Sequence, residues 1–207
     1  MKLFFKNLKN FNAGMTYVEL IVVLSIFSVM SAIMLFDYNK FEGKVDIKNL
    51  ANDIAIKAIE AQKSATAGRL PPSGSYAAGW KPSYGLYFKL GSPGDNKTFL
   101  YFTDLNQSGD FLDPLFCPTP GNGGECLEKI NITKGNTITE LRAYYADASS
   151  STGNDLSINF TRPNAGATIR SSTGFSGPVA YVQITIASPQ GNTAKVKIYT
   201  SGRIQID

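Results

Sequence analysis

The sequence predicts an α+β protein. One long N-terminal α-helix, with a transmembrane half and an amphipathic half, is expected to pack on an antiparallel β-sheet domain. Three observations carry this. An apolar run extends from Leu20 to Phe36 and, with Tyr17 and Val18, reaches the lower length limit for a helix crossing a bilayer. Behind it Val45, Leu50, Ile54, Ala58, Ala61 and Ala65 recur at helical spacing, interleaved with Lys48, Asp53, Lys57, Glu60 and Lys63; this is the pattern of a helix with one buried face. Beyond Pro71-Pro72 the chain breaks into short runs of alternating apolar and polar residues, such as Tyr181-Val182-Gln183-Ile184-Thr185-Ile186. Such alternation implies antiparallel strands with one wet face.

Taken in order, residues 1–14 are a short basic leader, 15–37 the apolar half of the helix, 38–67 its amphipathic half, and 68–207 the β domain. The helix is expected to run from Met15 to about Ala67, a rod of about 80 Å at 1.5 Å per residue. Gly68 is placed to cap its end, and the two prolines prevent continuation. Residues 68–83 read as a loop in which Trp80 is a packing anchor. Strands are expected at Tyr84–Leu90, Thr98–Thr103, Thr137–Tyr145, Leu156–Thr161, Val179–Ala187, Ala194–Thr200 and Arg203–Ile206. Residues 188–192 read as a hairpin loop and Ser201-Gly202 as a tight turn.

Composition narrows the chemistry. The chain of 207 residues has no histidine, which removes Ser-His-Asp, Cys-His and His-ligated metal centres together. No nucleophile–base arrangement is visible, so an extracytoplasmic enzyme is a weaker reading than a non-enzymatic role. The net charge is +4, but Lys2, Lys6 and Lys9 supply most of it. Without the leader the chain is close to neutral and lacks an electrostatic footprint for nucleic acid. The leader lysines predict a cytoplasmic N-terminus and an outward-facing domain.

The N-terminal pattern is specific. Gly14, Met15 and Glu19 stand between the basic leader and the apolar helix. A carboxylate near the start of a spanning helix is costly, about 2.5–3.5 kcal/mol at a helix centre, so its presence implies a use for the charge. This arrangement resembles the prepilin processing site of type IV pilins and type II secretion pseudopilins. The resemblance implies cleavage by a prepilin peptidase between Gly14 and Met15 and N-methylation of Met15, where most members carry phenylalanine. Glu19 then matches the glutamate that pairs with the terminal amine of a neighbouring subunit during assembly. Implied partners are other pilin or pseudopilin subunits, the peptidase, an inner-membrane assembly platform and lipid. The implied location is a single pass of the cytoplasmic membrane, then a surface or periplasmic filament.

The whole pattern is similar to the pilin fold. Leu50 to Ala65, the Tyr84-Gly85-Leu86-Tyr87-Phe88 run and the hairpin around Ser201-Gly202-Arg203 resemble H-type minor pseudopilins and FimT-type minor pilins. Gly202-Arg203-Ile204-Gln205 resembles the Gly-Arg-x-Arg tail associated with DNA binding in the latter, without its second arginine. Lys195, Lys197 and Arg203 therefore make a candidate DNA-contacting patch, set against a solvated strand face; three charges support only weak, salt-sensitive binding.

Two further constellations stand out. Asp104, Asn106, Ser108, Asp110 and Asp113 place oxygens around Gly109, as at the opening of an EF-hand calcium loop. The twelfth position is Leu115 instead of glutamate, and a turn capped by Asx and Ser side chains is the competing reading. Cys117 and Cys126 enclose a turn-rich loop; outside the cytoplasm they are expected to form a disulfide, with about 2.5–3 kcal/mol from loop closure in the chain-entropy description.

Overall fold

The computed structural model describes residues 14–71, 79–91, 95–111, 117, 124–172, 174–175 and 177–207. The leader expected at 1–14 therefore lies outside the described residues except for Gly14. The protein is α+β, with an N-terminal apolar helix and two antiparallel five-stranded sheets. It divides into two compact units, residues 1–41 and 42–207, with the boundary inside the helix.

Helix α1 spans Tyr17–Thr66, slightly inside the expected bounds, and both ends have a local cause. At the start, Thr16 lies outside the helix and its Oγ1 accepts the N–H of Glu19 at 3.3 Å. At the end, Arg69 N–H donates to the Ser64 carbonyl at 3.0 Å and Gly68 N–H to the Ala65 carbonyl at 3.1 Å. These are the two bonds of a Schellman motif. Gly68 adopts φ +71°, the left-handed conformation such a cap requires.

Within the first unit, Tyr17–Leu35 forms a 19-residue stretch of mean hydropathy 2.5, with no part of it buried in the protein. By length and composition it can cross a membrane. Two of its hydroxyls suit that setting: Ser25 and Ser28 donate to the carbonyls of Val22 and Leu24, each at 2.8 Å, and so stay satisfied without water.

In the second unit the helix buries Ile47, Leu50, Ala51, Ile54, Ala58, Ala61 and Ala65. Val45, expected on this stripe, is exposed instead; the buried face begins two residues later, at Ile47. Among the described residues there are ten strands: β1 Ser83–Lys89, β2 Thr98–Thr103, β3 Cys126–Asn131, β4 Thr137–Tyr145, β5 Ser150–Gly153, β6 Asp155–Thr161, β7 Ala167–Arg170, β8 Val179–Ala187, β9 Thr193–Tyr199 and β10 Ile204–Ile206. A short 3-10 turn, Asp95–Lys97, precedes β2. One sheet has the order β3-β2-β1-β6-β7 and the other β10-β9-β8-β4-β5. Helix and both sheets share one core. Tyr84, Leu86, Phe88, Leu156, Ile158 and Phe160 enter it from the first sheet; Leu141, Val182, Ile184, Ile186, Val196 and Ile198 enter it from the second.

The first sheet departs from the expected wet outer face. Its Ser83, Ser157 and Asn159 alternate with core residues as an exposed face would, yet all three are fully buried. On the same side lies a small second core of Phe102, Phe111 and Cys126, with Tyr87, Leu100 and Cys117 packed on it. The disulfide joins Cys117 to Cys126 and so ties this cluster to strand β3.

Gly85 makes that packing possible. A Cβ there would lie 2.4 Å from the Ile158 carbonyl oxygen and 2.7 Å from the Phe102 ring. Gly85→Ala is therefore expected to destabilise the second unit by about 1–3 kcal/mol through overpacking, read as a lower midpoint in thermal or urea unfolding. An unchanged midpoint would mean Phe102 does not seat on β1 as described.

Candidate functional site

The N-terminal site starts from the chemistry of a helix end. The first turn of α1 leaves backbone N–H groups without intrahelical partners. Thr16 supplies an acceptor to Glu19 N–H, and its carbonyl accepts Leu20 N–H at 3.1 Å. Thr16-Tyr17-Val18-Glu19 has the Thr-x-x-Glu spacing of a capping box. This spacing is legible in the sequence, whereas the cost of a carboxylate in lipid does not reveal it. Glu19 thus stands in the first helical turn, where the helix dipole favours an anion. Gly14, Met15 and Glu19 are all exposed, so the bond proposed for cleavage and the carboxylate proposed for pairing both face outward in the isolated chain.

The oxygen-rich segment 104–111 is placed against the outer side of the first sheet. Asp104 is 1% exposed. Its carboxylate accepts Ser108 N–H at 3.1 Å, Gly109 N–H at 2.8 Å and the Asn159 side-chain amide at 2.8 Å. Asn106 also accepts Ser108 N–H, at 2.8 Å, and Ser108 Oγ donates to the Asp110 carbonyl at 2.9 Å. Asp110 accepts Phe111 N–H at 2.9 Å and the hydroxyl of Ser157. Trp80 Nε1 donates to the Asp104 carbonyl at 2.8 Å, in line with its expected anchoring role.

These oxygens face N–H and O–H donors, and Asp104 and Asn106 both accept the Ser108 N–H. Among the described residues no group of three or more acidic or sulfur side chains is arranged to hold a metal, and Asp113 lies outside the described residues. Among the described residues, these bonds are those of a turn capped by Asx and Ser side chains. Burial, the largest influence, pushes the Asp104 carboxyl above its usual range, while the donors from Gly109, Ser108 and Asn159 act in the opposite direction. A folded-state value above the unfolded one means the native state holds the proton more tightly. The stability this group contributes is therefore present in acid and lost as pH rises through the folded value.

The third group is largely engaged within the second sheet. Lys197 pairs with Asp207 at 2.5 Å, which raises the lysine and lowers the carboxyl from their ordinary values. Arg203 lies over the Tyr199 ring at 3.9 Å, the geometry of a cation–π contact. Tyr199, Tyr181 and Tyr144 form a ladder across three strands, with centroids 5.0 and 4.6 Å apart. Lys195 is exposed. Two of the three cations thus serve the sheet itself, and the arrangement resembles a solvated strand face more than a phosphate-binding groove.

No protein-family model, no characterised protein and no solved structure matches this chain. The functional reading therefore rests on its own residues.

The capped-turn assignment is open to test. Asp104→Ala is expected to cost about 1–3 kcal/mol, because buried N–H donors lose their acceptor. The unfolding midpoint of the unaltered protein should be the same in excess calcium and in chelator. A midpoint raised by calcium, with the rise abolished by Asp104→Ala, would instead make this segment an ion site.

Proposed function

We propose that this chain is a structural subunit, a minor pilin or pseudopilin, of a type IV pilus-like or type II secretion filament. Its mechanism is assembly through the N-terminal helix and involves no catalysis. The observation that carries this reading is α1 itself: a 19-residue apolar stretch with no part of it buried in its own chain, opened by a capped first turn that holds Glu19. A helix apolar on all sides needs lipid or other helices around it. The resemblance of residues 11–40 to a prepilin site supplies the sequence of events. Cleavage after Gly14 creates a cationic amine at Met15, and insertion anchors the chain by one pass with the second unit outside the cytoplasm.

Extraction from lipid into a bundle of like helices then brings one subunit's amine to another's Glu19. In a water-poor bundle that attraction is strengthened. Removing one partner of such a buried pair costs about 3–5 kcal/mol, because the other charge is left uncompensated. The pilin-like fold follows as the family expectation for a long helix joined to antiparallel sheets. The nucleic-acid alternative is less well supported, since Lys197 and Arg203 are engaged by Asp207 and Tyr199.

We assign Glu19 two separable roles, a local one from its Thr-x-x-Glu spacing at the cap and an intermolecular one through its charge. Glutamine serves at this position of a capping box as glutamate does, but it has no charge. Both Glu19→Gln and Glu19→Ala are expected to insert in the membrane and to be depleted from filaments, measured by immunoblot of the sheared or crosslinked assembly beside the unaltered machinery. Incorporation restored by glutamine but not by alanine would reduce Glu19 to a helix cap and overturn the charge-pairing mechanism.

A further inference from the structure

On the face of α1 opposite the core, two large apolar side chains are left in solvent: Ile56 is 59% exposed and Ile59 39%. With Val45, also exposed, they account for the exposed large apolar side chains of the helix between Glu42 and Thr66. They are not scattered. Val45, Asn49, Asn52, Ile56, Ile59 and Lys63 follow one another at alternating spacings of four and three, the repeat of a coiled-coil seam. The positions flanking this seam are sorted by charge. Asp46, Asp53 and Glu60 recur every seventh residue on one side, and Lys48 stands on the other.

Asp46 and Glu60 are already held within the chain, by Lys134 at 2.6 Å and Lys57 at 3.1 Å. Lys48 and Asp53 are exposed and make no ion pair among the described residues. In a parallel, in-register pair of helices, residue 48 of one chain faces residue 53 of the other, the spacing at which flanking charges pair across the seam.

We propose that this face is a contact for a second copy of the same chain, with its helix parallel and in register. Ile56 and Ile59 of each copy pack together, Asn49 and Asn52 fix the register as polar seam residues do, and Lys48 of each chain pairs with Asp53 of the other. Two isoleucines per chain bury far less than the roughly 1,200 Å² of a stable specific interface. The contact therefore forms where two copies are already held close, as they are when anchored side by side in one membrane. It needs that anchoring but not the filament, and so stands apart from the role of Glu19.

The test uses the full-length chain in its native membrane. A photo-crosslinking residue, p-benzoylphenylalanine, replaces Ile56, or in the control Lys44, which is exposed on the same helix away from the seam. The expected result is a product of twice the chain mass from position 56 and little from position 44. Lys48→Asp or Asp53→Lys alone should lower its yield about two- to five-fold, as an exposed ion pair would. The double variant Lys48→Asp/Asp53→Lys should restore it, with unfolding midpoints unchanged throughout. No product from position 56, a product containing a different protein, or failure of the double variant to rescue would each overturn the proposal.

Discussion

The second unit depends on one constraint: a single helix face must satisfy two sheets at once. Ile47, Leu50 and Ile54 fill the core at one end of that face, and Ala58, Ala61 and Ala65 hold the other end. The alanines remove side-chain volume where the first sheet brings Tyr84 and Tyr101. Tyr101 then reaches Ser64 on the helix with its hydroxyl at 3.1 Å, and Tyr84 reaches the Arg69 carbonyl at 2.9 Å. Large rings fill the space left by the small residues, and their polar ends find partners at the helix terminus, as buried tyrosines require. At the same end Gln62 donates to the Ala165 and Gly202 carbonyls, so the helix terminus also fixes two turns.

The outer side of the first sheet is organised by a different force. Beside its small apolar cluster, its buried residues include serine, threonine, asparagine and aspartate, which are held by hydrogen bonds to one another. Ser83 Oγ contacts Asn159 and Thr161 at 3.0 and 2.7 Å, and Asn159 passes the network on to Asp104. Such a network specifies one arrangement because each unmade bond in low dielectric is costly. The Cys117–Cys126 disulfide and the Phe102–Phe111 contact at 5.4 Å close the apolar side of the same cover.

What could be read from residues alone follows the same division. The helix and seven strands were legible: six are central in their sheets, where burial imposes a period on the sequence, and the seventh, the edge strand β10, alternates after the tight turn at Ser201-Gly202. β3, β5 and β7 were not. All three are edge strands; Ser150–Gly153 has no large apolar residue, and Cys126–Asn131 is mostly exposed or half-exposed. An edge strand is defined by the neighbour it pairs with, and local pattern carries little of that. The buried polar side was misread as wet for a related reason: alternation shows that two faces differ, not that the polar one meets water. At the candidate sites, Asp104 was singled out as an ion ligand or turn residue, and the Asn159 and Ser157 side chains that engage its segment lie more than forty residues away in the sequence. For Lys197 and Arg203, local sequence did not reveal that Asp207 and Tyr199 stand beside them.

The account as a whole turns on whether the Gly14–Met15 bond is cut. In the proposed function that step turns a basic leader and an apolar helix into a subunit with a free cationic terminus, and the pairing proposed for Glu19 needs that terminus. Intact-mass measurement of the protein extracted from the membranes of its own host tests it directly. The account predicts a chain beginning at Met15, lighter by residues 1–14 and heavier by one methyl group. A membrane-embedded protein that keeps its leader, or one cut beyond residue 30 so that the helix is lost, would contradict it.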